Sequence, residues 1–279
     1  KFMKNLKLKL TIIGISLFSI NTFAQDYVYN GIKNVDATIG INNSEGDNSG
    51  KETVSADCYD PANIGKRIQA QGCSDLLIVD NDSLRQMVLK DENYSDTNIF
   101  TGQVTDMSML FCNSTSTHSF YDNCTRKDPN YSISDWNTEN VVDMKHMFLD
   151  SSYNQSLNKW NVSNVNDMSY MFRRSSYNQP LNKWNVSNVN DMSYMFRRSS
   201  YNQPLNKWNV SNVNDMRSMF MGTSYNQPLN NWNVSNVNDI SYMFMDSPYN
   251  QSLDKWDVSN VTSMRFIFRD AAQFNQDIS

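Results

Sequence analysis

WNVSNVNDMSYMFRRSSYNQPLNK occupies Trp160–Lys183 and returns without a change at Trp184–Lys207. Six tryptophans, Trp136, Trp160, Trp184, Trp208, Trp232 and Trp256, keep a constant spacing of 24 residues. Each part of a compact enzyme core meets different neighbours, so such a core has no use for identical segments. Identical units imply identical surroundings, which stacking in a row supplies. A period of roughly 20–50 residues marks a solenoid or array stabilised by contacts between neighbours.

Within one unit the apolar positions are Trp160, Val162, Val165, Met168, Met171, Phe172, Tyr177 and Leu181. Met168, Met171 and Phe172 have i, i+3, i+4 spacing, which predicts a short helix. Asn166 is its expected N-cap, and Asp167 stands in the first turn, where a negative charge suits the helix dipole. The stretch Asn178–Val186 predicts a strand, entered through Pro180, with Trp184 and Val186 on one face. Stacked about 4.8 Å apart, such strands form a parallel ribbon. The expected class is therefore α/β, a solenoid of short parallel strands and short helices.

Upstream the composition changes three times. Lys4, Lys7 and Lys9 precede the apolar run Leu10–Ile20, and Thr22-Phe23-Ala24 offers a small-x-small cleavage site. Residues 1–24 thus read as a secretory signal peptide, the apolar run being about half the ~20 residues a spanning helix needs. Residues 25–56, rich in Asn, Gly, Ser, Asp and Glu, read as a flexible linker. Residues 57–98 read as an N-terminal α/β cap: Leu76–Val79 as a buried strand, Asp82–Lys90 as a helix with Asn81 or Asp82 as N-cap. A stack needs a distinct unit over its first open end. Residues 99–279 form the repeat array, and further repeats are expected beyond Ser279.

Cleavage would remove four of the 24 basic residues and none of the 29 acidic ones, leaving a net charge of −9. That argues against nucleic acid as a partner, since phosphate binding needs a basic footprint. No later segment is apolar enough to span a bilayer. The four cysteines, Cys58, Cys73, Cys112 and Cys124, are an even set in an exported chain, which favours disulfides. Three pairings are possible; the preferred one, Cys58–Cys73 with Cys112–Cys124, closes two short loops. Between Phe111 and Ile133 the chain carries 13 more residues than between Phe172 and Leu181, and Cys112 and Cys124 fall in that insertion. With no C-x-x-C and only His118 and His146 as histidines, no metal site is expected.

The pattern V-[NT]-D-M-S-x-M-F followed by [FY]-N-Q-x-L-x-x-W-[ND]-V-S, running from about Val104 to Ser279, resembles the BspA-like surface proteins. Their matching branch has repeats of roughly 25 residues. Asp75–Leu84 resembles the stretch that often precedes those repeats. The resemblance implies a leucine-rich-repeat-like solenoid and a surface role, often suggested to be adhesion, with no settled ligand.

Asp143, Asp167, Asp191, Asp215 and Asp239 recur once per unit. They read as helix-start caps, with a calcium column as the alternative. The tryptophans read as core, with a carbohydrate-stacking ladder as the alternative. Asn178-Gln179 and its equivalents read as stacked amides at coil turns. Residues that carry a fold hold steady along a stack; those that vary are candidates for recognition. Tyr170 and Tyr194 are replaced elsewhere by His146, Ser218 or Phe266, and Arg173-Arg174 and Arg197-Arg198 by Met221-Gly222, Met245-Asp246 or Leu149-Asp150. Tyr170, Arg173, Arg174, Tyr194, Arg197 and Arg198 are therefore the candidate partner-binding residues. No catalytic constellation and no cofactor are expected. The reading is an exported or cell-surface protein that adheres to a protein or host-matrix ligand, with a structural spacer or carbohydrate-binding module as the alternative.

Overall fold

A computed structural model describes residues 53–114 and 124–278. The expected leader, nearly all of the expected linker, and His118 lie outside the described residues. The described part opens with two 3-10 turns, Ala56–Tyr59 and Pro61–Asn63. A Cys58–Cys73 disulfide follows, its two half-cystines buried with Ile78 and Phe100.

Strand β1 (Leu77–Ile78) pairs in parallel with β2 (Ile99–Phe100), and helix α1 (Asn81–Lys90) connects them. The N-cap of α1 is Asp80, one residue before the earliest expected position. Asp80 and Ser83 satisfy each other's backbone N–H groups in a reciprocal capping box. That leaves Asn81 for another task. Its side-chain oxygen accepts from the backbone N–H groups of Thr105 at 2.8 Å and Asp106 at 3.1 Å. Further along, the matching donors Asn190 and Asp191 reach the backbone oxygen of Asn166 at 2.8 and 3.4 Å. Asn81 therefore stands in for a preceding coil and supplies the acceptor that the first edge lacks.

Successive coils are joined by parallel bridges running Asp106, Asp143, Asp167, Asp191, Asp215, Asp239, Ser263. In the Trp160 coil, Met168, Tyr170, Phe172 and Arg174 donate their N–H groups to the carbonyls of Asp191, Ser193, Met195 and Arg197, at 2.8–3.0 Å. The intervening Met171, Arg173 and Ser175 donate three residues back, at 3.1–3.2 Å. The helix expected over Met168–Phe172 does not form; residues 169–174 run through turns. A helix would commit every N–H to its own chain, whereas here a neighbouring coil offers carbonyls at each level and takes every second donor. The alternation requires Tyr170 and Arg174 to adopt positive φ, 61° and 56°. The segment expected as a strand, residues 178–186, is likewise not one: the Trp184 N–H turns back to Leu181 at 3.0 Å. The cross-coil pairing sits on the aspartate side of the unit instead.

Inside, identical side chains form rows. The rings of Phe148, Phe172, Phe196, Phe220 and Phe244 lie 5.5–5.9 Å apart with planes within 7° of parallel. Met168, Met171, Val162 and Leu181 are buried with them. Tyr177, Tyr201, Tyr225 and Tyr249 are also buried, and burial raises the pKa of each phenol. Leu157 O, which faces Tyr177, already accepts from Trp184 Nε1 at 3.0 Å.

At the insertion, β3 (Cys112–Ser114) and β4 (Cys124–Arg126) pair antiparallel, with Ser114 opposite Cys124. Cys112 is disulfide-bonded. The side chain of Cys124 lies outside the described residues.

Candidate binding face

The positive-φ positions recur along the stack: His146 and Ser218 are buried, Tyr170, Tyr194 and Tyr242 half-buried, and Arg198 and Asp246 exposed. Tyr170 and Tyr194, at φ 61° and 60°, are half-buried, with ring centroids 4.5 Å apart and planes 11° from parallel. His146 extends the stack, its ring 4.4 Å from that of Tyr170. The guanidinium of Arg173 lies 5.7 Å from the Tyr170 ring centre, and those of Arg197 and Arg217 lie 5.5 and 5.4 Å from that of Tyr194. Such contacts within about 6 Å are attractive, because the ring face carries negative potential. Burial, together with the neighbouring Arg198, holds the Arg197 guanidinium below its usual value. Both His146 nitrogens are buried, and burial, aided by the nearby Lys145, lowers its pKa to about 4.

Of the six candidates, Tyr170, Arg173, Tyr194 and Arg197 thus lie in one aromatic–cationic stripe. Arg174 and Arg198 do not join it. Arg174 makes a two-pronged pair with the Asp150 carboxylate. Arg198 extends over Gly222, where an added Cβ would come within 3.1 Å of its Cγ. The sequence reading passed over Arg217. It fills the ring column where Ser218 replaces tyrosine, and it pairs with Asp215 at 3.3 Å and Asp239 at 3.8 Å. An arginine where the Trp160 and Trp184 units carry Ser169 and Ser193, beside the single serine of the ring column, was the available signal.

The recurring aspartates bind backbone. Asp167 Oδ1 accepts from the Ser169 N–H at 2.8 Å, and Asp143, Asp191, Asp215 and Asp239 accept likewise from two residues on, at 2.7–2.8 Å. They cap a turn, where the sequence suggested a helix start. Burial raises the pKa of Asp143 and Asp215. Among the described residues no group of three or more His, Cys, Asp or Glu side chains is placed to hold a metal ion. The amide row also serves the backbone: Asn154 Oδ1 accepts from the Asn178 N–H at 2.8 Å, and Asn178 Oδ1 from the Asn202 N–H at 2.9 Å. Trp136 through Trp232 are only 2–4% exposed, so they offer no flat surface to a sugar ring.

Bridged coils of matched sequence, with one variable face, define a tandem-repeat protein. A family model described as "Mycoplasma protein of unknown function, DUF285" matches residues 82–200, 115–225 and 198–279. These spans together cover well over half of the chain, and the chain belongs to that family. A search of curated proteins found no match, and neither did a search of solved structures. Among the described residues no helix is long and apolar enough to cross a membrane.

Proposed function

We propose that the chain is an exported, surface-displayed repeat protein of the BspA-like kind, built as a leucine-rich-repeat-like solenoid, that binds a protein ligand through the stripe of Tyr170, Arg173, Tyr194 and Arg197. The observation that carries the reading is the contrast between interior and face. Phe172, Phe196, Phe220 and Phe244 repeat without change, while the positive-φ positions beside them vary among His146, Tyr170, Tyr194, Ser218, Tyr242 and Phe266. Half-buried tyrosines with arginines across them are the side chains that dominate protein–protein contacts. The basic, apolar and small-residue pattern of residues 1–24 supports export. Binding rather than catalysis fits a site made by repetition.

The test is a solid-phase binding assay of the chain on host-matrix proteins, with a glycan array beside it. The Tyr170→Ala/Tyr194→Ala variant should lose at least about tenfold in affinity, each buried aromatic anchor being worth ~1 kcal/mol or more. A folded variant that binds as the parent does removes the stripe from the function. Binding confined to glycans moves the reading to a carbohydrate module.

A further inference from the structure

A second column of outward side chains runs beside the rings. In order it reads Asp150, Arg174, Arg198, Gly222, Asp246, Asp270, each at positive φ between 55° and 67°. The first two members neutralise each other. Arg198 and Asp246 are exposed, and their side chains have no hydrogen-bond or ion-pair partner among the described residues. They cannot reach one another readily, since Gly222 lies between them and two coil steps span roughly 10 Å.

We infer that this face pairs with a second copy of the chain about a two-fold axis through Gly222. From Arg174 to Asp270 the column reads positive, positive, neutral, negative, negative. Laid antiparallel on itself, that order sets every positive position opposite a negative one; Arg174 already pairs with Asp150, and Asp270 with Arg269 at 3.3 Å, so the open charges are Arg198 and Asp246. Arg198 meets the partner's Asp246, and Asp246 meets the partner's Arg198. A parallel arrangement sets like charges together, and an antiparallel one shifted by a coil sets Arg198 or Asp246 opposite Gly222, so the pattern selects the orientation and favours this register. Self-complementarity of this kind defines an isologous contact.

The ring column is balanced about the same coil. Ser218 lies at the centre, Tyr194 and Tyr242 one coil to either side, Tyr170 and Phe266 two coils away. The inference goes beyond surface display and does not depend on it.

Arg198→Asp and Asp246→Arg are suited to the test, because Asp150, Asp270 and Arg174 hold the same kinds of residue at the same φ elsewhere in the column. Sedimentation of the full chain should show a monomer–dimer equilibrium that weakens with added salt, as exposed charge pairs do. Each single variant should dimerise at least about tenfold more weakly, since like charges then oppose one another across the axis. An equimolar mixture of the two variants should recover the parent's association, because each then supplies the charge the other lacks. The two substitutions shift net charge in opposite senses, so a net-charge effect cannot weaken both. A parent that stays monomeric overturns the inference and leaves the surface-binding reading standing. So does a dimer indifferent to both variants, or a mixture that fails to recover.

Discussion

Trp184 Nε1 donates to the carbonyl oxygen of Leu157 across a coil boundary, at 3.0 Å. The same bond recurs from Trp160 to Ile133, Trp208 to Leu181 and Trp232 to Leu205, at 2.9–3.0 Å. Each tryptophan therefore ties its coil to the one before it through a backbone group with no water to turn to. Trp184→Phe keeps most of the ring and removes the donor. It should cost about 0.5–1.5 kcal/mol, the net worth of one hydrogen bond, because the Tyr177 hydroxyl still faces the Leu157 carbonyl. Phe172→Ala, which empties a fully buried position instead, should cost about 3–5 kcal/mol. Urea unfolding of both variants checks the order; a larger loss for the tryptophan change would place the strength of the stack in its polar seam.

The column from Asp150 to Asp270 has one glycine, Gly222, at φ 67°. Gly222→Ala meets a left-handed backbone that disfavours a Cβ by about 1–2 kcal/mol. Restricting the unfolded chain returns about 0.4–1 kcal/mol. The net expectation is a loss near 1 kcal/mol, read as a lower urea midpoint at unchanged slope. A gain in stability would contradict the left-handed assignment.

His146 is buried, and its pKa falls to about 4 from an ordinary 6.5. Between those values the unfolded chain takes up a proton that the folded chain refuses. Stability from this group is complete above pH 6.5 and declines as pH falls through the window. The shift corresponds to a loss of about 2–4 kcal/mol by pH 4. His146→Tyr, which installs the side chain other coils carry there, should flatten the decline. Urea midpoints of the two proteins at pH 7 and pH 4.5 give the comparison. Equal slopes against pH would show that His146 is not the titrating group.

Cys58 and Cys73 enclose a sequence separation of 15 residues. Replacing both with serine should cost about 2–4 kcal/mol, by restoring freedom to the unfolded chain. The loss should fall on the region that supplies Asn81 to the first coil. Hydrogen exchange at Thr105 and Asp106, whose N–H groups Asn81 accepts, should quicken before exchange in the Trp208 coil. In unreduced peptide maps, Cys112 should appear joined to Cys124; a free thiol at either position would refute the expected pairing.

The repeat, the tryptophan and phenylalanine rows and the amide row were legible because each is a constant in an otherwise drifting unit. The local backbone was not. Met168, Met171 and Phe172 have helical spacing, yet two successive turns bring the same three side chains inward. Spacing alone cannot separate the two conformations. What would have told them apart is a glycine at the left-handed positions, and most coils place Tyr170, Arg174 or their equivalents there. Those bulky residues mask the turn from any propensity argument. The partition of the arginines was equally hidden: Arg173 and Arg174 are adjacent in sequence, yet one lies over a tyrosine and the other pairs with a carboxylate from the preceding coil.

The alternating donors also fix how the stack answers a pull. Where Met168, Tyr170, Phe172 and Arg174 reach the next coil, the four bonds lie side by side along one seam. Tension applied through the chain ends loads one terminal seam at a time, so coils peel away singly. Every detachment frees one unit of 24 residues, on the order of 80 Å of extended chain at about 3.3–3.6 Å per residue. Because the Trp160 and Trp184 units are identical in sequence, successive coils yield at closely similar force. The array is therefore expected to lengthen in equal steps under a nearly constant load, with each released coil left beside an unchanged template on which to rewind.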